Sequence, residues 1–320
     1  ISPCLVGSEM CIRDRSLIFM FSSLNSDQLY KYSIILFFVS LISLFLVPFI
    51  GVEVKGSKRW IDLFFLPRFQ PIEVLKPFLI IILATILCDI KSNILFKYLI
   101  SIFLISFISL LLIAQPDIGQ TLLVIFCWAV LIFTSGINIY ILLAIFIAGA
   151  SLLTYLIIYV PRFDYIQGRI FSFFNRETGT HNFQSDKAIE SITSGGFFGK
   201  GIGEGVLKNR VPEAHTDYII SVISEEFGVV AIMLILLLFL ILIYMVFKKI
   251  SFETNDKVKL ILIGSISLIL MQATIHVGVN IRLFPTTGMT LPFLSYGGSS
   301  IISTSCLLYT SDAADECHSV

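Results

Sequence analysis

"PEAHTDYIISVISEEFGVVAIMLILLLFLILIYMVFKK", residues 212–249, decides the fold class. A polar threshold carrying Glu213, His215, Thr216 and Asp217 leads into an apolar segment, 218–247. That segment exceeds the ~20 residues a helix needs to cross a bilayer. A carboxylate at the edge of hydrocarbon is costly unless it is capped, paired or used. The rest of the chain repeats the pattern. Further apolar segments lie at 31–50, 97–114, 118–135, 138–160 and 258–281, with a shorter one at 73–88 that spans only with its flanks. Residues 16–22 and 293–305 read as partial spans. The 320 residues are 56% hydrophobic and 14% charged, against about 25% charged in soluble domains, with mean hydropathy +0.93. The chain therefore reads as one polytopic all-α membrane domain. Its formal net charge of zero implies no attraction to nucleic acid.

Two loops are too polar to be mere connectors: 51–76, and the large hydrophilic loop 161–217. Alternation of the spans puts both on one face, joined there by 282–293. Short loops of the opposite face carry Lys31, Lys91, Lys97, Lys248, Lys249, Lys257 and Lys259, and those of the shared face Lys55, Lys58, Arg59, Arg68 and Arg282. Over short loops the cation count, seven against five, favours the shared face as the outer one, while the seven further cations of 161–217 point the other way, so charge bias alone does not set the orientation. The cations kept on that face then call for an anionic ligand. Cys88 and Cys127 lie in apolar runs and the other four cysteines in the ends, with no metal-site or disulfide spacing. The ends "ISPCLVGSEMCIRDR" (1–15) and "CLLYTSDAADECHSV" (306–320) break the composition of the body. They are expected to be non-native flanks derived from adapter or assembly sequence.

Each polar cluster has a structural and a functional reading. "GSKRWID" (56–62) is an interfacial anchor, or a basic-aromatic cradle for phosphate or sugar. In "QPIEVLK" (70–76), Pro71 suits a first helical turn, and Glu73 and Lys76 share a helix face as an ion pair or as site residues. "AQPDIGQ" (114–120) is a tight turn in which Asp117 caps the next helix, or a polar site around Gln115. "GGFFGKGIGEG" (195–205) lacks the spacing of a nucleotide loop and reads as backbone passing close to a surface or ligand. Thr216 or Asp217 either caps the following helix or presents a base for a hydroxyl proton. "FPTTGMTLPFLSYGGSS" (284–300) reads as irregular backbone walling a cavity.

"GSKRWID…QPIEVLK", "AQPDIGQ", "GKGIGEGVLKNRVPEAHTDYIISVISEEFG" and "NIRLFPTTGMTLPFLSYGGSS", in this order and spacing, resemble the SEDS family of shape, elongation, division and sporulation proteins. The likeness covers roughly residues 16–305, and its wording is closer to the division member than to the elongation member. The resemblance implies a SEDS-type ten-helix bundle, here reduced to seven full helices plus partial ends, with 161–217 as one large extracytoplasmic loop. It implies a glycosyltransferase of the bacterial inner membrane, at the division septum, that polymerises lipid II into peptidoglycan strands. Implied partners are a class B penicillin-binding transpeptidase and division regulators. The family's essential acidic residue matches Asp217, and Arg59, Trp60, Glu73, Lys76 and Gln115 match other motif positions. Lys200, Arg210, His215 and Ser295 complete the substrate-binding candidates. Pro77 and Thr287 depart from the family pattern.

On this reading the acceptor's 4-hydroxyl attacks the anomeric carbon of a lipid-linked donor and pyrophosphate leaves. Asp217 is the expected base, with Arg59, Lys76 and Arg210 as candidate cations for the leaving group. A divalent cation, Mg2+ or Mn2+, with Asp217 as its ligand is the alternative role. Two further readings are a lipid II flippase and an elongation-type polymerase. A flippase calls for ionisable residues near mid-membrane, whereas here the charges cluster at one face.

Overall fold

A computed structural model describes residues 26–54, 57–63, 66–89, 93–160, 163, 167–168, 171, 173, 180–207, 211, 214–295, 300 and 303–307. The expected flank 1–15 lies outside the described residues, as does 308–320 of the expected second flank; Cys306 and Leu307 are buried. In order come α1 (Ser26–Ile50), β1 (Val52–Val54), β2 (Ser57–Leu63), β3 (Leu66–Phe69), α2 (Pro71–Cys88), α3 (Ile94–Ala114), α4 (Ile118–Thr134), α5 (Ile139–Tyr159), α6 (Thr180–Gly195), α7 (Ile219–Phe252) and α8 (Asp256–Asn280). Seven of these helices are long and apolar, and six have the length and composition of membrane spans; α4, at 17 residues, is the shorter one. The spans follow the hydropathy pattern to within a few residues. Two features do not. Loop 51–70 holds a three-stranded antiparallel meander, β1–β2–β3, and the hydrophilic loop holds α6.

The chain divides into two compact units. The first comprises residues 1–136, 249–269 and 297–320. Its central helix is α2, whose Leu75, Ile80, Ile81, Leu83 and Ala84 are almost fully buried. Pro71 opens α2 where its missing N–H costs nothing. On α1, Phe37, Ser40, Leu44 and Val47 form the buried face, while Phe38, Ile42, Phe45 and Phe49 point outward as lipid-facing residues should. Ser101 of α3 is buried and accepts a hydrogen bond from Trp128 Nε1 of α4 at 3.4 Å. Such small polar residues let membrane helices pack closely. Gly264 of α8 does the same: a Cβ there would lie 2.7 Å from Ile80 and 3.1 Å from Leu131.

The second unit comprises residues 137–248 and 270–296. Here α6 turns a seam of Ser185, Ala188, Ser191 and Gly195 inward. Gly195 lies directly on the Ser224 carbonyl of α7. The Arg282 guanidinium, just past α8, donates to Asp186 of α6. α7 is broken at Gly228, whose φ of 77° and ψ of −177° are not helical. The break frees backbone groups that a membrane boundary cannot leave unpaired, and the glycine-rich loop satisfies them. Lys200 N and Gly201 N donate to the carbonyls of Glu225 and Glu226 at 2.9 and 3.0 Å; Val229 N and Val230 N donate to the carbonyls of Gly196 and Phe197 at 3.0 and 3.3 Å. So close an approach requires glycine on both sides. A Cβ on Gly228 would collide with the Phe197 carbonyl, and one on Gly199 (φ 77°) with the Glu226 carbonyl.

Gly228→Ala should therefore lower stability by about 1–3 kcal/mol from the backbone conformation alone, and by more through the collision. Gly149→Ala, in the open on α5, should be neutral or slightly stabilising. Thermal unfolding of the two variants in detergent measures the contrast.

Candidate active site

Asp217 stands in the turn that leads into α7 and is half-buried. Its backbone is held from two sides. Asn280 Nδ2, at the end of α8, donates to the Asp217 carbonyl at 3.2 Å and to its own helix at the His276 carbonyl at 2.8 Å. Ser295 Oγ donates to the Thr216 carbonyl at 2.7 Å and accepts from Leu291 N at 2.8 Å. The side chain is placed against irregular backbone: a Cβ on Gly288 (φ 69°) would lie 3.5 Å from Asp217 Oδ2. The segment 285–295 thus forms a wall beside the carboxylate. Tyr218, the next residue, is 2% exposed and anchors the start of α7 in the core of this unit.

Two turns further on, Glu225 is fully buried. Its Oε1 accepts from Leu207 N at 3.0 Å and faces Lys200 Nζ at 3.4 Å; its Oε2 accepts from Ser191 Oγ at 3.0 Å. Glu226 Oε1 accepts from Gly203 N at 3.1 Å. One carboxylate thereby ties α6, the glycine-rich loop and α7 together. A buried carboxylate is tolerated when its lone pairs are filled in this way.

In the first unit a second polar network links three elements. Arg59 of β2 donates through Nη2 to the Pro116 carbonyl at 2.5 Å and pairs through Nη1 with Asp117 Oδ1 at 3.7 Å. Asp117 caps α4, accepting from Gln120 N at 3.4 Å, and also accepts from Gln70 Nε2 at 3.1 Å. Gln120 Nε2 donates to Glu73 Oε1 at 2.6 Å, and Lys76 Nζ lies 2.7 Å from Glu73 Oε2. Burial pushes the Asp117 carboxyl above its ordinary range, while the Arg59 guanidinium and the Gln120 amide pull it back.

The family model described as cell cycle protein, FtsW/RodA/SpoVE, matches residues 14–310. The chain belongs to the FtsW/RodA/SpoVE family. Among its relatives, the probable peptidoglycan glycosyltransferase FtsW of Caulobacter vibrioides is 35% identical over 264 residues, which covers 80% of this chain and 65% of that protein. The protein so described from Francisella salina is 37% identical over 281 residues, covering 83% and 68%. The chain thus spans about two thirds of the length of these relatives. A solved chain from work on structural coordination of polymerization and crosslinking by a peptidoglycan synthase complex superposes with a TM-score of 0.81 at 26% identity, covering 100% of this chain and 92% of that one. The rod shape determining protein RodA of Thermus thermophilus superposes at 0.72 and 26% identity, covering 100% and 90%.

Within this FtsW/RodA/SpoVE chain the expected site residues take different places. Arg59, Glu73 and Lys76 come together, with Gln115 nearby in the same unit. Gln115 is 4% exposed and donates to the Leu44 carbonyl of α1 at 3.0 Å, so it fastens α1 to the end of α3. Lys76 is fully buried and its Nζ lies 2.7 Å from Glu73 Oε2, so the ion pair expected from their helical spacing forms. Lys200 is committed to Glu225, and Ser295 holds backbone from a position that is 3% exposed. Both therefore position other groups. Trp60 is half-buried on β2 and His215 is exposed beside Asp217 in sequence. Arg210 lies outside the described residues. Four residues with clear roles were absent from the expected set: Gln70, Gln120, Glu225 and Asn280. A glutamate inside an apolar run was the available signal for Glu225; the amides carry none.

Glu73→Ala should cost about 3–5 kcal/mol, because it removes the carboxylate that pairs with the Lys76 ammonium in the interior. Glu73→Leu combined with Lys76→Met should recover most of that stability. Unfolding midpoints of single and paired variants test this. Ser295→Ala should leave the fold intact and lower turnover, since it removes one of the bonds that hold the Thr216 carbonyl next to Asp217; kcat and KM measured separately should place the loss in kcat.

Proposed function

We propose that this chain is a peptidoglycan glycosyltransferase that polymerises lipid II into glycan strands on the outer face of the bacterial inner membrane, at the division septum. The observation that carries the reading is the half-buried Asp217, held by Asn280 and Ser295 on the turn before α7, in a chain whose family match runs over 14–310. The relatives' common description as FtsW supports the division role over an elongation role. A class B penicillin-binding transpeptidase is the proposed partner, supported by the likeness to a chain of a peptidoglycan synthase complex; division regulators complete the set.

In the proposed reaction the 4-hydroxyl of the acceptor sugar attacks the anomeric carbon of the lipid-linked donor. The new glycosidic bond forms as the bond to the pyrophosphate breaks. Asp217 takes the hydroxyl proton, help that is typically worth 10²–10⁴-fold. Its pinned backbone means the carboxylate needs no reorganisation to do so. Arg210 is the cation proposed for the leaving pyrophosphate. Among the described residues no group of three or more His, Cys, Asp or Glu side chains could hold a metal ion. In the alternative role Asp217 would be a ligand of a divalent cation that supplies positive charge to the leaving pyrophosphate, in place of acting as the base.

Asp217→Asn, purified with the cognate transpeptidase and given lipid II, should form less than about one hundredth of the wild-type polymer while keeping its unfolding midpoint. Polymer from both proteins would remove Asp217 from the chemistry. Polymer from neither, with lipid II crossing vesicles that contain the protein, would favour the flippase reading.

A further inference from the structure

Two aromatic side chains of the glycine-rich loop have no use in anything above. Phe197 is 76% and Phe198 84% exposed, although their backbone is held tightly. Their depth along the membrane normal can be read from α7. Residues 229–247 carry no charge, and they are bounded by Glu225 and Glu226 on one side and by Lys248 and Lys249 on the other. At 1.5 Å per residue that run is about 28 Å long, close to the ~30 Å of a hydrocarbon core. The hydrocarbon boundary therefore falls at Val229 and Val230. Those two amides are the ones that bond the carbonyls of Gly196 and Phe197.

The loop meets α7 on both sides of this level. On its outer side Lys200 N, Gly201 N and Gly203 N bond Glu225 and Glu226. On its inner side Phe197 and Phe198 stand beside the first turn of the uncharged run, where Val229, Val230, Met233 and Leu234 are themselves exposed. The backbone of Phe197 is bonded to that turn, and both rings are exposed.

We propose that Phe197 and Phe198 form a membrane anchor, inserted at the boundary between headgroups and acyl chains beside the start of α7. The occupant of this surface is the bilayer. Aromatic rings are favoured at that depth, and an interfacial segment buries its apolar face about 5–10 Å below the headgroups. Because the loop backbone is bonded to both sides of the break at Gly228, the anchor holds the loop and the helical segment 219–227 at a set height above the lipid. The proposal does not rest on the catalytic reading.

The test uses the full chain in lipid nanodiscs. Phe198→Trp places a reporter on an open position, and the emission of the parent, which contains Trp60 and Trp128, is subtracted. In phosphatidylcholine brominated on the upper acyl chain the added tryptophan should emit at a blue-shifted wavelength and lose about half of its intensity. Emission at the wavelength of a water-exposed indole, unquenched by the brominated lipid, would overturn the proposal. So would a blue shift without lipid quenching that grows with protein density in the disc, which would point to a second copy of the chain. Phe197→Trp gives an independent reading, and agreement of both positions with lipid quenching is required.

Discussion

The second unit depends on one constraint: backbone N–H and C=O groups at the edge of a membrane must find partners. α7 breaks at Gly228, and the loop 195–201 supplies a donor or an acceptor for each group described at the break. The exchange is reciprocal, because the loop's own amides and carbonyls are satisfied by the same contacts. Once the loop is seated, Glu225 becomes a buried anchor for it and for Ser191 of α6. The short segment 219–227 is then fixed at its far end by the break and at its near end by Tyr218. Asp217 inherits its position from both.

The first unit uses charge to the same end. Arg59, Asp117, Gln120, Glu73 and Lys76 form a chain of contacts from the meander through the α3–α4 turn to the inside of α2. Burying so many ionisable groups is costly, and replacing such a set with well-packed apolar side chains often raises stability. Its physical product is geometry: the α3–α4 turn is tied on one side to the meander and on the other to α2 by directional bonds that apolar packing would not supply. Glu73 and Lys76 stand at the α2 end of this chain of contacts, and Arg59 at its meander end.

The two networks differ in what they leave open. In the first unit the carboxylates are enclosed: Glu73 and Asp117 are each 3% exposed. In the second, Glu225 is enclosed and Asp217 is half-open to its surroundings, next to irregular backbone at Gly288. Of these carboxylates, Asp217 combines a fixed backbone with an accessible side chain, the combination that acid–base chemistry requires.

The spans were legible in the sequence because lipid imposes a length and a composition on every crossing helix, and seven apolar runs met that demand. Asp217 was legible too, as a charge at the threshold of an apolar run, and Asp117 was readable as a cap from its place after Gln115–Pro116. The pairing of those charges was not. Lys76 looks the same in a sequence whether it faces a phosphate or the carboxylate one turn before it. The glycines of 195–205 announced a close approach without naming the α7 break as its object. Hydropathy is a one-dimensional property and determines which segments enter the membrane. Which polar groups satisfy one another is set by distance and direction between residues far apart in the chain, and only the tertiary structure decided it.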